Sequence, residues 1–521
     1  MGLEFNAAKC ATLHIKTRKA RKDTDTYIQG QRIPTLDHGE AYQHLGVPTG
    51  LYVEQTPEAT FQKMIEDLQA VEASLLTPWQ KLDAIRTFII PQAQFTLLTA
   101  NIKKSALDVL DKKVKLVAKS IFNLPRRASP EIVFIPTQQG GANLPPLSEL
   151  ADVGSLVRAF KMLSCPDPAV QTIAEASIRH SAAPVLQQRE PTYDQLCAYL
   201  SGDATPNYSR ASTIWSAARS AARRLVNKLP GPRWSWTDSK RWSLTVPNQL
   251  KNTIIDAGSR KELHHHLRRS IQQYHLEKLL TKPDQGKVFD VSSRNAESNH
   301  FLQYGRHTRF CDWRFVHRAR LGVLPLRACI RVANIDRKCR VCGYPEETTA
   351  HVLCHCMRHS RASNNRHRSV IKHLVMAMQS TRNLRVEKTV PGVNSRDKPD
   401  LVIINTSSKQ AVIIDVACPF ENRYEALERK RIENVQKYLP LAEALQQQGF
   451  ETVVDAVVVG SLGSWDPSNE SSMALLGIPE KRRKTIKKLI ISDVIRWSRD
   501  IYVEHVSRAR QYKEDVVLPK L

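Results

Sequence analysis

Two aspartates stand out in the stretch Lys398–Tyr438, KPDLVIINTSSKQAVIIDVACPFENRYEALERKRIENVQKY. Two β-type runs, Leu401–Asn405 and Ala411–Ala417, flank a polar turn. Asp400 leads into the first run and Asp415 lies inside the second. A four-residue loop, Thr406–Lys409, pairs residues whose numbers sum to a constant and sets Asp400 opposite Asp415. Directly opposed side chains share a face with Cβ atoms roughly 5 Å apart. Like charges that close destabilise the fold unless something neutralises them. A divalent ion, magnesium or manganese, does so, and a carboxylate-held metal can cut phosphodiesters. The plainer alternative is two unrelated surface acids. On the following segment Lys430, Asn434 and Lys437 recur at spacings of four and three, one helical stripe. Its lysines, Lys430 and Lys437, are candidates to stabilise developing charge.

A second constellation precedes it. Cys339-x2-Cys342-x8-His351-x4-Cys356 offers three thiolates and one imidazole. The first pair forms a tight knuckle, and the second closes the tetrahedron zinc prefers. Cys354 and His355 sit beside the last ligand, and His355 is a possible substitute. No position is left open for catalysis, so this zinc is expected to be structural, contributing on the order of 10 kcal/mol of folding free energy.

The rest of the chain must position these groups. Its 521 residues suggest three or four domains. It carries 77 basic against 51 acidic side chains, a net charge of +26, spread from end to end. Charge on that scale makes nucleic acid the expected partner. No stretch approaches the ~20 apolar residues of a membrane helix, so no membrane partner is expected. The start, MGLEFNAAKC, lacks the apolar core of a signal peptide. Six of the ten cysteines fall between Cys311 and Cys356 among histidines, which favours a metal over disulfides.

In chain order, residues 1–55 read as strands at Cys10–Lys16 and Tyr27–Ile33 followed by Tyr42–Gly46. Residues 56–150 carry apolar residues at helical spacing, such as Phe61, Met64, Ile65, Leu68 and Val71. Residues 151–335 predict helices at Val153–Leu163, Ala211–Leu229 and Lys261–Leu280. Trp234, Trp236 and Trp242 lie among basic residues and read as core sooner than as base-stacking platforms. His264, His265 and His266 point 100° apart on a helix and cannot share an ion. Arg306–Arg320 is arginine-rich, with Arg314, Arg318 and Arg320 as candidate phosphate contacts. The zinc segment with its basic helix, including Arg366, takes 336–375, and the acid pair takes 376–470. The tail, 471–521, opens with Lys481-Arg482-Arg483-Lys484, a nuclear-import signal, a DNA-contacting face or a solvated helix start.

The order of these features resembles the C-terminal half of the R-two type of non-LTR retrotransposon polyprotein. The residues that carry the likeness are the knuckle, then Pro399-Asp400, DVACPFE at 415–421, Lys437-Tyr438 and GSLGSWDP at 460–467. Gly2-Leu3, Asn6 and Lys9, followed by Tyr42–Gly46, resemble the last two reverse-transcriptase palm motifs. The resemblance implies a multidomain, mainly α protein: a partial palm at 1–55, a thumb at 56–150, a CCHC zinc knuckle, and a small α/β restriction-like (PD-(D/E)xK) endonuclease. Asp400 and Asp415 then match the metal-binding acids, and Lys9 the lysine near the incoming triphosphate. Lys437 matches one lysine of a K-x-x-K-Y pattern whose other position is Asn434 here. The slot two residues after Asp415, which usually holds a lysine in such nucleases, holds Ala417. Family members nick a target, typically a ribosomal RNA gene, and prime cDNA synthesis on the element RNA. No Tyr-x-Asp-Asp occurs in the chain. The expectation is therefore a polyprotein fragment that retains the DNA-nicking endonuclease without the RNA-directed DNA polymerase core. It would act in the nucleus on double-stranded target DNA and element RNA, with self-association possible. The rival expectation is a nucleic-acid-binding remnant without activity, which Asn434 favours.

Overall fold

The structure is a computed structural model that describes residues 5–17, 19–44, 47–203, 213–226, 228, 232–247, 252–330, 336–381 and 383–519. It is mixed α/β and about 53% helical, with several small sheets. Two compact units divide the chain. One comprises residues 1–74, 84–117 and 145–274; the other comprises 75–83, 118–144 and 275–521. Residues 56–150, expected as one helical domain, are shared between the two.

In the first unit the helices Leu147–Leu163, Pro168–Leu186, Tyr193–Ser201 and Ile214–Val226 enclose one core with a three-stranded sheet. Trp215, Trp234 and Trp242 lie in that core with Phe160 and Tyr199. The tryptophans at 234 and 242 are therefore packing residues, as their sequence reading favoured. Arg219 is also buried, stacked over the Tyr199 ring. The expected strand Tyr27–Ile33 is instead a hairpin, Thr26–Ile28 against Gln31–Ile33. Gln29 and Gly30 both take positive φ, 48° and 78°, the geometry of a two-residue hairpin turn that a Gln-Gly pair signals weakly. Of the palm-like motifs, residues 1–4 and Leu45-Gly46 lie outside the described residues. Lys9 is exposed, and its carbonyl accepts a bond from the Tyr42 hydroxyl.

The second unit is built on a four-stranded sheet, with β1 (Leu384–Val386), β2 (Leu401–Asn405), β3 (Gln410–Ala417) and β4 (Glu451–Val458) in spatial order. β1–β2 and β2–β3 are antiparallel; β3–β4 is parallel. The parallel pair needs a crossover, supplied by the 24-residue helix Tyr424–Gln447. Its buried residues Leu427, Asn434, Tyr438, Leu441 and Leu445 recur every three, four or seven positions, so one stripe faces the sheet. Two more helices, Ser360–Ala377 and the 28-residue Glu480–Ser507, pack against each other. In chain order these three helices are α1 (Ser360–Ala377), α2 (Tyr424–Gln447) and α3 (Glu480–Ser507).

Buried charge ties the loops of this unit together. Glu421 is fully buried, and its carboxylate accepts from the amides of Leu462 and Ser464 at 2.8 and 3.2 Å and from the Ser461 hydroxyl at 3.2 Å. A Cβ at Gly460 would come within 2.2 Å of that carboxylate, which explains the glycine. Arg431 on α2 bonds Asp466 at 2.9 Å and Asp455 at 2.6 Å. The motifs at 415–421 and 460–467 are thus one buried polar lock. Truncation in Glu421→Ala strands three buried donors and should cost about 3 kcal/mol, read as a lower denaturant midpoint with an unchanged slope.

Glu131 is a second buried acid. Burial alone pushes its carboxyl up, but bonds from Lys282 at 2.6 Å and from Ser129 outweigh this and hold it at about 2. An acid with a depressed folded pKa contributes stability above its unfolded value, here 4.5, and loses it as pH falls toward 2. Glu131→Gln should cost about 3 kcal/mol at pH 7 and flatten the acid limb of stability between pH 4.5 and 2, measured by urea titration at several pH values.

Candidate functional site

The hairpin has the expected loop. β2 ends at Asn405 and β3 begins at Gln410, with Leu401 opposite Ile414. Extending that register by one residue sets Asp400 opposite Asp415. Asp400 is buried, and its Oδ2 accepts from the Val416 amide at 2.7 Å. The carboxyl of Asp415 is pushed up to about 6, first by burial and then by the charge of Asp400. A carboxyl raised by burial and by a facing acid marks a place where a cation would be stabilising. The donor chemistry, hard carboxylate oxygens at a strand exit, fits magnesium or manganese.

The α2 stripe behaves differently from its sequence reading. Asn434 is buried and donates from Nδ2 to Asp415 Oδ2 at 2.6 Å. Lys437 is exposed; its ammonium bonds the Tyr438 hydroxyl at 2.8 Å and lies over that ring, close enough to lower the Asp415 pKa. Lys430 turns to Glu433 at 3.2 Å, an exposed pair of little energetic weight. The amide, not a lysine, therefore holds the carboxylate.

These groups line a cleft of about 1220 Å³ whose walls also carry Arg127, Lys287, Arg337 and Arg429. Arg320 and Arg366, expected as phosphate contacts, are buried. Arg320 is 2% exposed, with its guanidinium committed to Asn299, Ser298 and Leu462. Arg366 is 3% exposed and bonds Ser498 and the Cys418 carbonyl. Arginine-rich segments offer both surface and interior positions, and the aromatic partners here draw some arginines inward. Arg314 is exposed over the Phe310 ring, and Arg318 is half-buried. Lys481, Arg482 and Lys484 are exposed at the start of α3, while Arg483 bonds the Ile478 carbonyl.

Two further residues lie near Asp400 whose role there the sequence does not signal. His367, on α1, places Nε2 3.0 Å from Asp400 Oδ2 and 3.0 Å from the Val416 carbonyl. Burial lowers its pKa, but the Asp400 bond and charge outweigh this and raise it. Glu387 follows β1, and a carboxylate oxygen of it, a ring nitrogen of His367 and a carboxylate oxygen of Asp400 all lie within 4.8 Å of one another. A histidine 33 residues ahead of its partner, inside a basic run, carries no spacing signal.

The Cys/His cluster is assembled as expected. The ligand atoms of Cys339, Cys342, His351 and Cys356 all lie within 4.8 Å of one another, with Cys342 Sγ 3.2 Å from His351 Nε2. Three sulfurs and one imidazole in a compact set fit a tetrahedral metal such as zinc. His355 is exposed and outside the set, and Cys354 faces the Cys418 carbonyl. Glu347, fully buried, braces the loop: it accepts from the Arg340 amide and guanidinium and from His505 Nε2 at 2.9 Å. No helix among the described residues is long and apolar enough to cross a membrane.

The chain is similar to several known proteins. A domain family described as the T26G10.4 domain matches residues 153–323. The uncharacterized protein T26G10.4 of Caenorhabditis elegans is 24% identical over 335 residues, 61% of this chain and 94% of that protein. The Pol polyprotein of the type-2 retrotransposable element R2DM of Drosophila melanogaster is 30% identical over 166 residues, 30% of this chain and 15% of the polyprotein. The R2 polyprotein from Popillia japonica is 21% identical over 447 residues, 84% of this chain and 82% of that sequence. The chain is a homologue of R2-type retrotransposon Pol polyproteins.

The Cys/His cluster predicts one zinc per chain, measured by metal analysis of the purified protein. Cys356→Ser should abolish that equivalent and lower thermal stability, as should prolonged treatment with a strong chelator.

Proposed function

We propose that the protein is a metal-dependent endonuclease that nicks double-stranded DNA. The observation that carries the reading is the facing pair Asp400 and Asp415, with Asp415 raised to about 6 and lining a cleft with basic walls. When bound there, a divalent ion would polarise a phosphate oxygen and supply a nucleophilic water. The protein's own residues do the rest. Asp400 is fixed by the Val416 amide, and Asp415 by Asn434. Lys437, exposed on the cleft wall, presents a positive charge to a bound phosphate. The arginines and lysines around the opening would take the duplex by its backbone, with an affinity that falls steeply with salt. The restriction-like fold, the zinc knuckle beside it and the palm and thumb likeness of residues 1–150 belong to the same reading. By the R-two resemblance, the target would lie in a ribosomal RNA gene, the RNA bound would be the element's own, and the work would be done in the nucleus. The exposed Lys481, Arg482 and Lys484 suit either nuclear import or DNA contact.

Asn434 supports a second reading, a nucleic-acid-binding protein without cleavage. A neutral amide stands where the family pattern has a lysine, and it touches Asp415 directly.

Nicking of supercoiled plasmid with Mg²⁺ or Mn²⁺ separates the two. Asp415→Ala should reduce nicking at least ~100-fold while DNA affinity changes less than about threefold. Asn434→Lys should raise nicking. Equal nicking by the wild type and Asp415→Ala would rule out the nuclease reading, and steeply salt-dependent binding with no metal-dependent nicks would select the second.

A further inference from the structure

His367 and Glu387 have no part in the chemistry above, yet the chain is bent to bring them to Asp400. Glu387 has φ +49°, in the left-handed region that a residue with a Cβ seldom adopts. Its amide donates to the Asp400 carbonyl, and Arg368 grips its carboxylate through both oxygens at 3.1 and 2.7 Å. Backbone strain of this kind persists only where the surroundings over-determine it. His367 is fixed as firmly. Its Nε2 meets two oxygens, Asp400 Oδ2 and the Val416 carbonyl, each at 3.0 Å. Neighbouring ligands on an octahedral ion with bonds of about 2.1 Å stand about 3.0 Å apart. The spacing of this imidazole to both oxygens thus matches two edges of such an octahedron.

We infer that His367 is a nitrogen ligand in a mixed divalent-metal site with Asp400, the Val416 carbonyl and, as a further carboxylate, Glu387. The inference rests on the reading of Asp400 and Asp415 as metal-binding acids and adds to it a metal preference. Oxygen donors alone suit magnesium. Imidazole shifts affinity toward transition ions, so Mn²⁺ binds this site more tightly than Mg²⁺ does. Arg366, Arg368 and Lys437 are held by Ser498, Glu387 and Tyr438 respectively, and the group that meets Asp400 is His367 itself.

The test is Mn²⁺ binding to the zinc-loaded full chain, read by electron paramagnetic resonance with detection of nitrogen coupling. The wild type should bind one Mn²⁺ with ¹⁴N coupling to an imidazole. His367→Gln and His367→Ala should lose that coupling and weaken Mn²⁺ binding about tenfold or more, with a change of about twofold for Mg²⁺. Glu387→Gln should weaken Mn²⁺ binding while the ¹⁴N coupling remains, which guards against misfolding of the histidine variants. If both histidine variants melt as the wild type does and keep the coupling or the affinity, the inference is overturned while the nuclease reading stands. If Mn²⁺ binds but Asp400→Ala and Asp415→Ala leave it unchanged, the acid-pair reading fails as well.

Discussion

Two carboxylates are forced to face each other, and the surroundings of the central sheet are organised by that constraint. The hairpin register leaves no freedom: a four-residue loop and two regular strands put Asp400 and Asp415 on one face. Repulsion at that distance is costly in a partly buried setting. The structure answers from three directions. A backbone amide and an imidazole engage Asp400, and an uncharged amide engages Asp415. The two amides are neutral, and only the imidazole can carry a compensating charge, so the pair remains compatible with folding while still favouring a cation.

Local pattern was the legible part. The loop length fixed the hairpin pairing, and the Cys-x2-Cys spacing with the later His and Cys identified the four residues that cluster. Amphipathic periodicity marked the helix at 58–73, and the helices expected at Val153–Leu163, Ala211–Leu229 and Lys261–Leu280 are found at Leu147–Leu163, Ile214–Val226 and Leu263–Leu280. What could not be read were partners distant in sequence. His367 and Glu387 reach Asp400 from a preceding helix and from the end of a strand, and nothing in their own neighbourhoods marks them. Charge alone was also a poor guide to exposure. Arg320 and Arg366 sit in basic runs indistinguishable from those of Arg314 or Lys481, but interior carbonyls and hydroxyls claim their donors.

The most recognisable motif, GSLGSWDP, is architectural. Its amides feed the Glu421 carboxylate, Trp465 is fully buried, and Asp466 closes on Arg431. Buried polar networks tolerate little change, because each lost partner strands the others. Such a lock holds the strand ends that carry the acids without touching them.

The helix α3 has a further consequence, for the timing of folding. His505, near its end, bonds Glu347 across 158 positions of sequence, and Ser498 joins Arg366 to the Ser461 carbonyl. During synthesis the Cys/His loop and the sheet emerge from the ribosome well before these partners exist. Contacts so far apart in the chain form slowly. Until helix α3 has emerged, the nascent second unit holds an unbraced Glu347 and an open face on α1. That interval is when chaperones would have their longest hold on this protein.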